Sequence, residues 1–372
     1  MLRLAEVVQR FQPHLPLLPP PVNKVCQQLL ACRTAALGGF QLRCGECGEE
    51  VALYHACRNR HCPRCQQQAS EQWQQRELAN VVPAPYFHLV FTLPHELNGW
   101  VRLHPAVVYH ALFRSVWDTL NTLGHDRKRL NGQLGMTAVL HTWGQNLSQH
   151  VHLHCLIPGG ALDAAQQWHP AKSTYLFPIR VLSRLFRGKL VSQLREAAEG
   201  GQLPRVTRSG EVKQLLGQLM RKDWVVYAKP CLHKAETVVQ YLARYTRKIA
   251  ISESRLLGIT EETVSFRYHD YRDGQQKVMT LAGDEFLRRF LQHVLPAGFM
   301  RIRHYGWLAN ACRKTRLPQV REAIARYAPM LPRVADKPLE AIARFDGIPC
   351  PCCKTGMMRV RYPLPPQRLE YG

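Results

Sequence analysis

Beyond Gln149 the chain reads His150-Val151-His152-Leu153-His154-Cys155-Leu156-Ile157, an apolar run that opens with a histidine at every second position. Successive side chains of a strand point to opposite faces, so this alternation fits an extended strand and not a helix, which would scatter the imidazoles around its circumference. Such a strand must lie with Val151 and Leu153 against a core and with His150, His152 and His154 together on the opposite face. Pro158-Gly159-Gly160 ends it with a strong turn signal. A second β-prone stretch, 136–142, stands just upstream, so 136–157 is predicted to form an antiparallel hairpin.

The same patterning predicts a buried strand over 86–93, aromatic and β-branched between prolines, and a helix over 106–122. A strand follows at 223–229, then strands at 264–268 and 278–281 around the turn 270–274, and a helix at 284–294. Residues 161–222 interrupt this order with polar, basic, mostly helical sequence that includes 180–198. The first ten residues begin an amphipathic helix that runs into a proline-rich turn at 16–21. Strands mixed with helices in this order predict an α+β fold, with helices to one side of the sheet. Three regions are expected: a helical, cysteine-rich unit at 1–80; a sheet domain at 81–310 with 161–222 as its insertion; and a basic region at 311–372.

Lys and Arg total 50 against 27 Asp and Glu, a net charge of +23. A surface so charged repels itself unless a polyanion neutralises it, and nucleic acid is the expected partner. No apolar run approaches the roughly 20 residues of a membrane span, and the first residues lack the apolar core of a signal peptide. A cytoplasmic location without a membrane partner is therefore expected, where clustered cysteines hold metal rather than form disulfides. Cys44-Gly-Glu-Cys47 and Cys62-Pro-Arg-Cys65 are two knuckles separated by 14 residues, spaced to wrap one structural Zn²⁺. Cys32, Cys57, His55 and His61 are near enough in sequence to join a second site or to replace one of these four. Arg58, Arg60 and Arg64, interleaved with them, offer a basic face to DNA phosphates. Near the C-terminus, Cys350-Pro-Cys352-Cys353 is half of a metal site, needing the extra thiol Cys352 or a remote ligand to complete it.

Tyr241-Leu-Ala-Arg-Tyr245 lies 87 residues beyond His154 in a helix-favouring segment, 234–248. Phenols at i and i+4 share a helix face, with Cβ atoms roughly 5–6 Å apart. A core aromatic pair is one reading. The polar and basic neighbours Gln240, Arg244, Arg247 and Lys248 favour another, a pair of nucleophiles beside a DNA backbone. A phenol with a pKa near ~10 attacks poorly unless its target is polarised, and a cation held by the histidine strand would polarise a phosphodiester. Imidazoles suit borderline metals better than Mg²⁺, so Mg²⁺ or Mn²⁺ here needs an oxygen ligand as well. Gln145, Gln149, Glu236 and Gln240 are the candidates near in sequence.

Taken in order, Cys32-Arg-Thr-Ala-Ala-Leu-Gly-Gly39, Cys57-Arg-Asn-Arg-His-Cys-Pro-Arg-Cys65, His141-Thr-Trp-Gly-Gln145, the histidine strand, the tyrosine pair and Arg303-His-Tyr-Gly306 resemble the rolling-circle transposases of the insertion-sequence-ninety-one family. The resemblance spans nearly the whole chain. It implies an HUH single-strand endonuclease core, an antiparallel sheet with helices, behind an N-terminal zinc-binding module. His152 and His154 become the ligands of a catalytic Mg²⁺ or Mn²⁺, with His150 auxiliary, and Tyr241 and Tyr245 the nucleophiles. It further implies nicking of single-stranded DNA at element ends to leave a 5′-phosphotyrosine and a 3′-hydroxyl, with target DNA, a bacterial nucleoid and the host replication machinery as the setting. Ala161, where glycine is expected, and Cys352 depart from the pattern. A replication initiator or relaxase of the same superfamily, a zinc-dependent DNA-binding regulator without catalysis, and a zinc hydrolase using the three histidines alone are the competing readings.

Overall fold

The computed structural model describes residues 2–66, 77, 79–171, 175–206, 208–232, 249–327 and 348–367. The expected tyrosine helix lies outside them, and with it Glu236, Gln240, Tyr241, Arg244, Tyr245, Arg247 and Lys248.

Two helices, Leu4–Phe11 and Pro20–Ala31, lead into β1 (Gly39–Cys44) and β2 (Glu50–Tyr54). Next come β3 (Tyr86–Thr92), the helix Pro105–Gly124, β4 (Gly135–Trp143) and β5 (Gln149–Pro158). The short strands β6 (Gly160–Leu162) and β7 (Trp168–Pro170) pair with each other, and the helices Ile179–Glu199 and Ser209–Arg221 carry the chain to β8 (Val226–Leu232). β9 (Leu256–Ile259), β10 (Thr263–Asp270), β11 (Gln275–Ala282) and the helix Gly283–Leu291 follow. β12 (Ile302–Gly306), the helix Arg313–Tyr327, β13 (Ile348–Pro349) and β14 (Met357–Leu364) come last.

The central sheet has the order β12-β4-β5-β3-β8, every neighbouring pair antiparallel. Its alternation is the one read from the sequence. Val151, Leu153, Cys155 and Ile157 of β5, Met136, Ala138 and Leu140 of β4, and Phe87, Leu89 and Phe91 of β3 all enter one core. The helices Pro105–Gly124 and Ile179–Glu199 cover that face, the first through Val108, Leu112, Val116, Leu120 and Leu123 at helical spacing. Each such aliphatic side chain contributes ~1.5–3 kcal/mol when removed from water. The opposite parity places His88, His141, His152 and His154 on the other face.

The α+β expectation thus holds as a mixture of helices with an antiparallel sheet, but the helices do not keep to one side, since Leu317, Val320 and Ile324 of the helix Arg313–Tyr327 share a core with Tyr86 and Leu156 of the histidine face. Two further details differ. The strand expected at 223–229 begins later, at Val226, because Trp224 is held by Ser183: its backbone N–H donates to Ser183 Oγ at 3.2 Å, while its indole N–H donates to the Leu219 carbonyl at 3.0 Å. The strands expected at 264–268 and 278–281 do not extend the central sheet. They form a separate sheet, β11-β10-β9, whose Val264 and Phe266 share a second core with Leu4, Val7, Val8 and Phe11 of the first helix and with Phe286 and Phe290. A third sheet, β13-β14-β1-β2, pairs the two ends of the chain: β14 runs antiparallel to β1, with Arg43 opposite Arg359 and Cys44 opposite Met358.

Gly306 closes β12 at φ +60°, and a Cβ there would lie 1.7 Å from the Leu134 carbonyl oxygen. This accounts physically for the glycine of the Arg303-His-Tyr-Gly306 motif. Gly306→Ala should lower unfolding stability by at least about 1–2 kcal/mol, the cost of a left-handed L-residue before the clash is counted. Chemical denaturation against the parent checks this, and an unchanged midpoint would contradict it.

Among the described residues, no helix is long and apolar enough to cross a membrane.

Candidate functional site

Antiparallel register sets the histidine cluster. β4 and β5 pair so that His141 stands directly opposite His152, and Val139 opposite His154. Ring centroids are 4.5 Å apart for His141–His154, 4.8 Å for His152–His154 and 5.3 Å for His141–His152. One ring nitrogen from each of the three lies within 4.8 Å of the others. His141 is 3% exposed and His154 9%, so the cluster opens to solvent mainly past the half-buried His152.

His150, expected as an auxiliary or alternative ligand beside His152 and His154, is not in this group, although its ring centroid lies 4.9 Å from that of His152. Alternate residues of a strand stand ~6.6 Å apart, so His150 and His154 are separated by ~13 Å along the backbone and do not converge on one ion. A directly opposed residue on the neighbouring strand is only ~4.5–5.5 Å away, and His141 holds that place. His150 contributes through its backbone instead: its carbonyl accepts the Nδ1–H of His152 at 2.9 Å. That bond fixes the His152 tautomer and puts the ring's lone pair on Nε2. His154 is braced from β3, where His88, 4% exposed, meets its Nδ1 through Nε2 at 2.9 Å with the rings stacked at 11°. His141 stacks on Trp143 at 4.9 Å. Oriented imidazoles with partners behind them suit a borderline divalent cation. Of the oxygen donors considered, Gln149 falls on the parity of Val151, the core side, and Gln145 donates its amide to the Tyr271 hydroxyl at 3.1 Å.

The cysteines divide differently from the expected grouping of Cys44, Cys47, Cys62 and Cys65. Cys32, Cys57, Cys62 and Cys65 form one cluster, and Cys44, Cys47, Cys350 and Cys353 another. The reason is topological. Cys44 ends β1, the chain returns through β2 as far as Tyr54, and Cys57 therefore starts on the far side of the hairpin from the Cys44-x-x-Cys47 turn. In the first cluster the Sγ separations are 3.6 Å for Cys32–Cys65 and for Cys32–Cys62, and 3.7 Å for Cys57–Cys65. A tetrahedron with Zn–S of ~2.3 Å has edges of ~3.8 Å, whereas a disulfide is ~2.05 Å. Hydrogen bonds from Cys57 and Cys62 pull the Cys32 thiol well below its usual range, while the hydrogen bond to Cys32 pushes Cys57 well above it. Four adjacent thiols cannot all ionise unaided, and a dication removes that conflict.

The remaining candidates lie outside both cysteine clusters. His61 accepts the backbone N–H of Leu295 at 3.5 Å, and burial followed by the charge of Arg301 depresses its pKa to about 3. His55 packs edge-on against Phe40, and Cys352 is exposed outside its neighbours' cluster. Arg58 is exposed and Arg64 half-buried, consistent with a solvent-facing basic surface. Arg60 instead donates to the Phe299 carbonyl and ties the cysteine module to the unit that carries the histidines.

A buried histidine beside this face gives a pH signature. Burial holds His293 down to about 4; its Nδ1 meets the Thr142 hydroxyl at 3.2 Å and its Nε2–H donates to the Leu147 carbonyl at 3.1 Å. The folded pKa lies below the unfolded ~6.5, so this contribution is complete above ~6.5 and is lost as pH falls toward the folded value, at about 1.4 kcal/mol per pH unit. Denaturation series between about pH 7 and about pH 4.5 should show a shallower loss for His293→Gln than for the parent, by one proton's worth of slope. Equal slopes would contradict the assignment.

Comparison with known proteins places these features in context. A family profile described as "Putative transposase" matches residues 135–316, which contain β4, β5 and the tyrosine pair. A second, described as a transposase zinc-binding domain, matches residues 4–93, with every cysteine from Cys32 to Cys65 but not Cys350 or Cys353. The chain is 42% identical over 350 residues to a protein of Sinorhizobium fredii named "Putative transposase y4qJ", covering 90% of this chain and 88% of the relative. It is 30% identical over 347 residues to the "Transposase for insertion sequence element IS801" of Pseudomonas savastanoi pv. phaseolicola, covering 89% of this chain and 81% of that protein. No solved structure matches.

Proposed function

We propose a single-strand transferase function from one premise: the chain belongs to the transposases of the insertion-sequence-ninety-one family. The substrate is single-stranded DNA at the ends of the element, cleaved and rejoined in a rolling-circle mode within the bacterial nucleoid. The observation that carries this reading is the His141–His152–His154 cluster, built on the sheet face opposite the helical core. An antiparallel sheet presenting histidines in this way is what an HUH core requires. Catalysis belongs to the region 81–310, and the N-terminal module, its fold held by zinc, engages DNA with Arg58 and Arg64.

His141, His152 and His154 would hold Mn²⁺ or Mg²⁺ together with an oxygen ligand, His88 and the His150 carbonyl keeping two of the rings in place. Once bound, such a cation draws charge from the scissile phosphate. Tyr241 or Tyr245 then attacks phosphorus through its phenolic oxygen. The bond from phosphorus to the 3′ oxygen breaks, the 3′ oxygen takes a proton, and a 5′-phosphotyrosine remains. The new ester conserves the energy of the original phosphodiester, so a 3′-hydroxyl from another strand reverses the step and regenerates the phenol. Two tyrosines allow a second cleavage before the first ester is resolved. Arg244, Arg247 and Lys248 neutralise the adjoining phosphates, and the host replication machinery extends the free 3′-hydroxyl.

Incubation with Mn²⁺ and single-stranded oligonucleotides carrying the element's ends should give an adduct that survives denaturation and that does not form when a chelator is present from the start. A DNA-binding regulator or a zinc hydrolase would form none, and that outcome would refute the reading. Binding to the same oligonucleotides should weaken steeply with salt, since each phosphate contact contributes a slope of about −0.7 in log K against log salt on single strands. A flat response would contradict a phosphate-dominated interface.

A further inference from the structure

We propose that Cys44, Cys47, Cys350 and Cys353 form a second structural zinc site that clasps the C-terminal strand to the N-terminal sheet. The ligands come from opposite ends of the chain. Cys44 Sγ lies 3.7 Å from Cys353 Sγ, Cys47 Sγ 3.6 Å from Cys350 Sγ, and all four thiols fall within 4.8 Å of one another. These are close to the ~3.8 Å edges of a tetrahedral Zn–S₄ site and well beyond disulfide length.

The two half-sites are built alike. The backbone N–H of Glu46 donates to Cys44 Sγ at 3.4 Å, and that of Gly356 to Cys353 Sγ at 3.3 Å. Each turn contains a residue in the left-handed region, Gly48 at φ +75° and Lys354 at φ +59°. Gly356 is where they meet, since a Cβ on it would stand 2.5 Å from Cys44 Sγ.

Packing gives the physical reason for a metal. The buried core of this four-stranded sheet is Leu42, Cys44, Cys350 and Met358, so two of its four members are ligands. Phe40, Leu53, Val360 and Tyr362 of the same sheet are exposed. So small a core does not hold four strands by hydrophobic burial, and a structural zinc contributes the missing folding energy. The first cysteine cluster differs, being embedded in the larger core around Leu4, Val25 and Phe286. The clasp also gathers Arg43, Arg359 and Arg361 around one depression beside the Cys44 turn, a grouping that neither end of the chain makes alone.

The test is zinc content per chain by native mass spectrometry on the full-length protein, read as a difference from the parent so that metal at the histidines does not enter. Cys350→Ser with Cys353→Ser should lose one zinc, and Cys44→Ser with Cys47→Ser should lose the same one, with no further loss when all four are changed. Cys352→Ser should lose none. Hydrogen exchange on the first pair should show Met357–Leu364 losing protection while Gly135–Trp143 and Gln149–Pro158 keep theirs, which separates a released clasp from general unfolding. Retention of the parent's zinc content by the Cys350/Cys353 variant, or a loss in Cys352→Ser, would overturn the proposal.

Discussion

His141→Ala is expected to slow metal-dependent cleavage of single-stranded element ends by about 10²–10³-fold, as much as His152→Ala or His154→Ala, because each removes one nitrogen from the same ion. His150→Ala should stay within a few-fold of the parent. Its ring lies outside the cluster, and the carbonyl that orients His152 survives the substitution. His88→Ala falls between, at about 10–100-fold, since it removes the partner of a ligand and not the ligand. Manganese titrations give the discriminating measurement: excess Mn²⁺ should restore much of the rate to His88→Ala and little to His141→Ala. If His150→Ala proved as damaging as His152→Ala while His141→Ala was silent, the ligands would be the three residues of one strand and the cross-strand site would be wrong.

Changing both Tyr241 and Tyr245 to phenylalanine should abolish covalent DNA attachment and reduce cleavage to background, a loss of at least ~10³-fold, because no activated oxygen remains to attack phosphorus. Phenylalanine keeps the ring's bulk, so affinity for uncleaved single strands should change by only a few-fold. The single substitutions divide the roles. The tyrosine that initiates abolishes the adduct when changed, and the other leaves the adduct but impairs rejoining to a second strand. An adduct formed by the double variant would mean that another nucleophile is at work.

Both predictions depend on features that the sequence discloses unequally. The histidine strand was legible because period-two alternation has one structural solution, and the core residues Val151, Leu153, Cys155 and Ile157 follow from the same parity. His141 was less visible. It is a single histidine in an apolar strand, and its role depends on the register of β4 against β5, which is set by the turn Gly144–Ser148; the Gly144 N–H donates to the Ser148 carbonyl at 2.9 Å. Counting back from the turn would set His141 opposite Val151; a bulge between His141 and Trp143 shifts the register by one residue to His152, and local patterning does not mark that bulge. His88 lay out of reach, since its contact with His154 crosses 66 positions. The cysteine clusters show the same limit: spacing identified every knuckle, but pairing by proximity joined Cys44 and Cys47 to Cys62 and Cys65, when the thiols they meet are more than 300 positions away. Local periodicity gives elements and faces. Which faces meet is decided by long-range register that one sequence does not display.

The central claim, that a tyrosine on this chain becomes esterified to DNA beside a histidine-held cation, is tested most directly by mapping the adduct. The protein would be incubated with Mn²⁺ and a single-stranded oligonucleotide spanning an element end, then digested with protease and nuclease and analysed by mass spectrometry. The account predicts a nucleotide 5′-phosphate on the peptide containing Tyr241 and Tyr245, absent when His141, His152 or His154 is changed to alanine. A nucleotide found on any other residue, or no modified peptide under conditions where the oligonucleotide is cleaved, would contradict it.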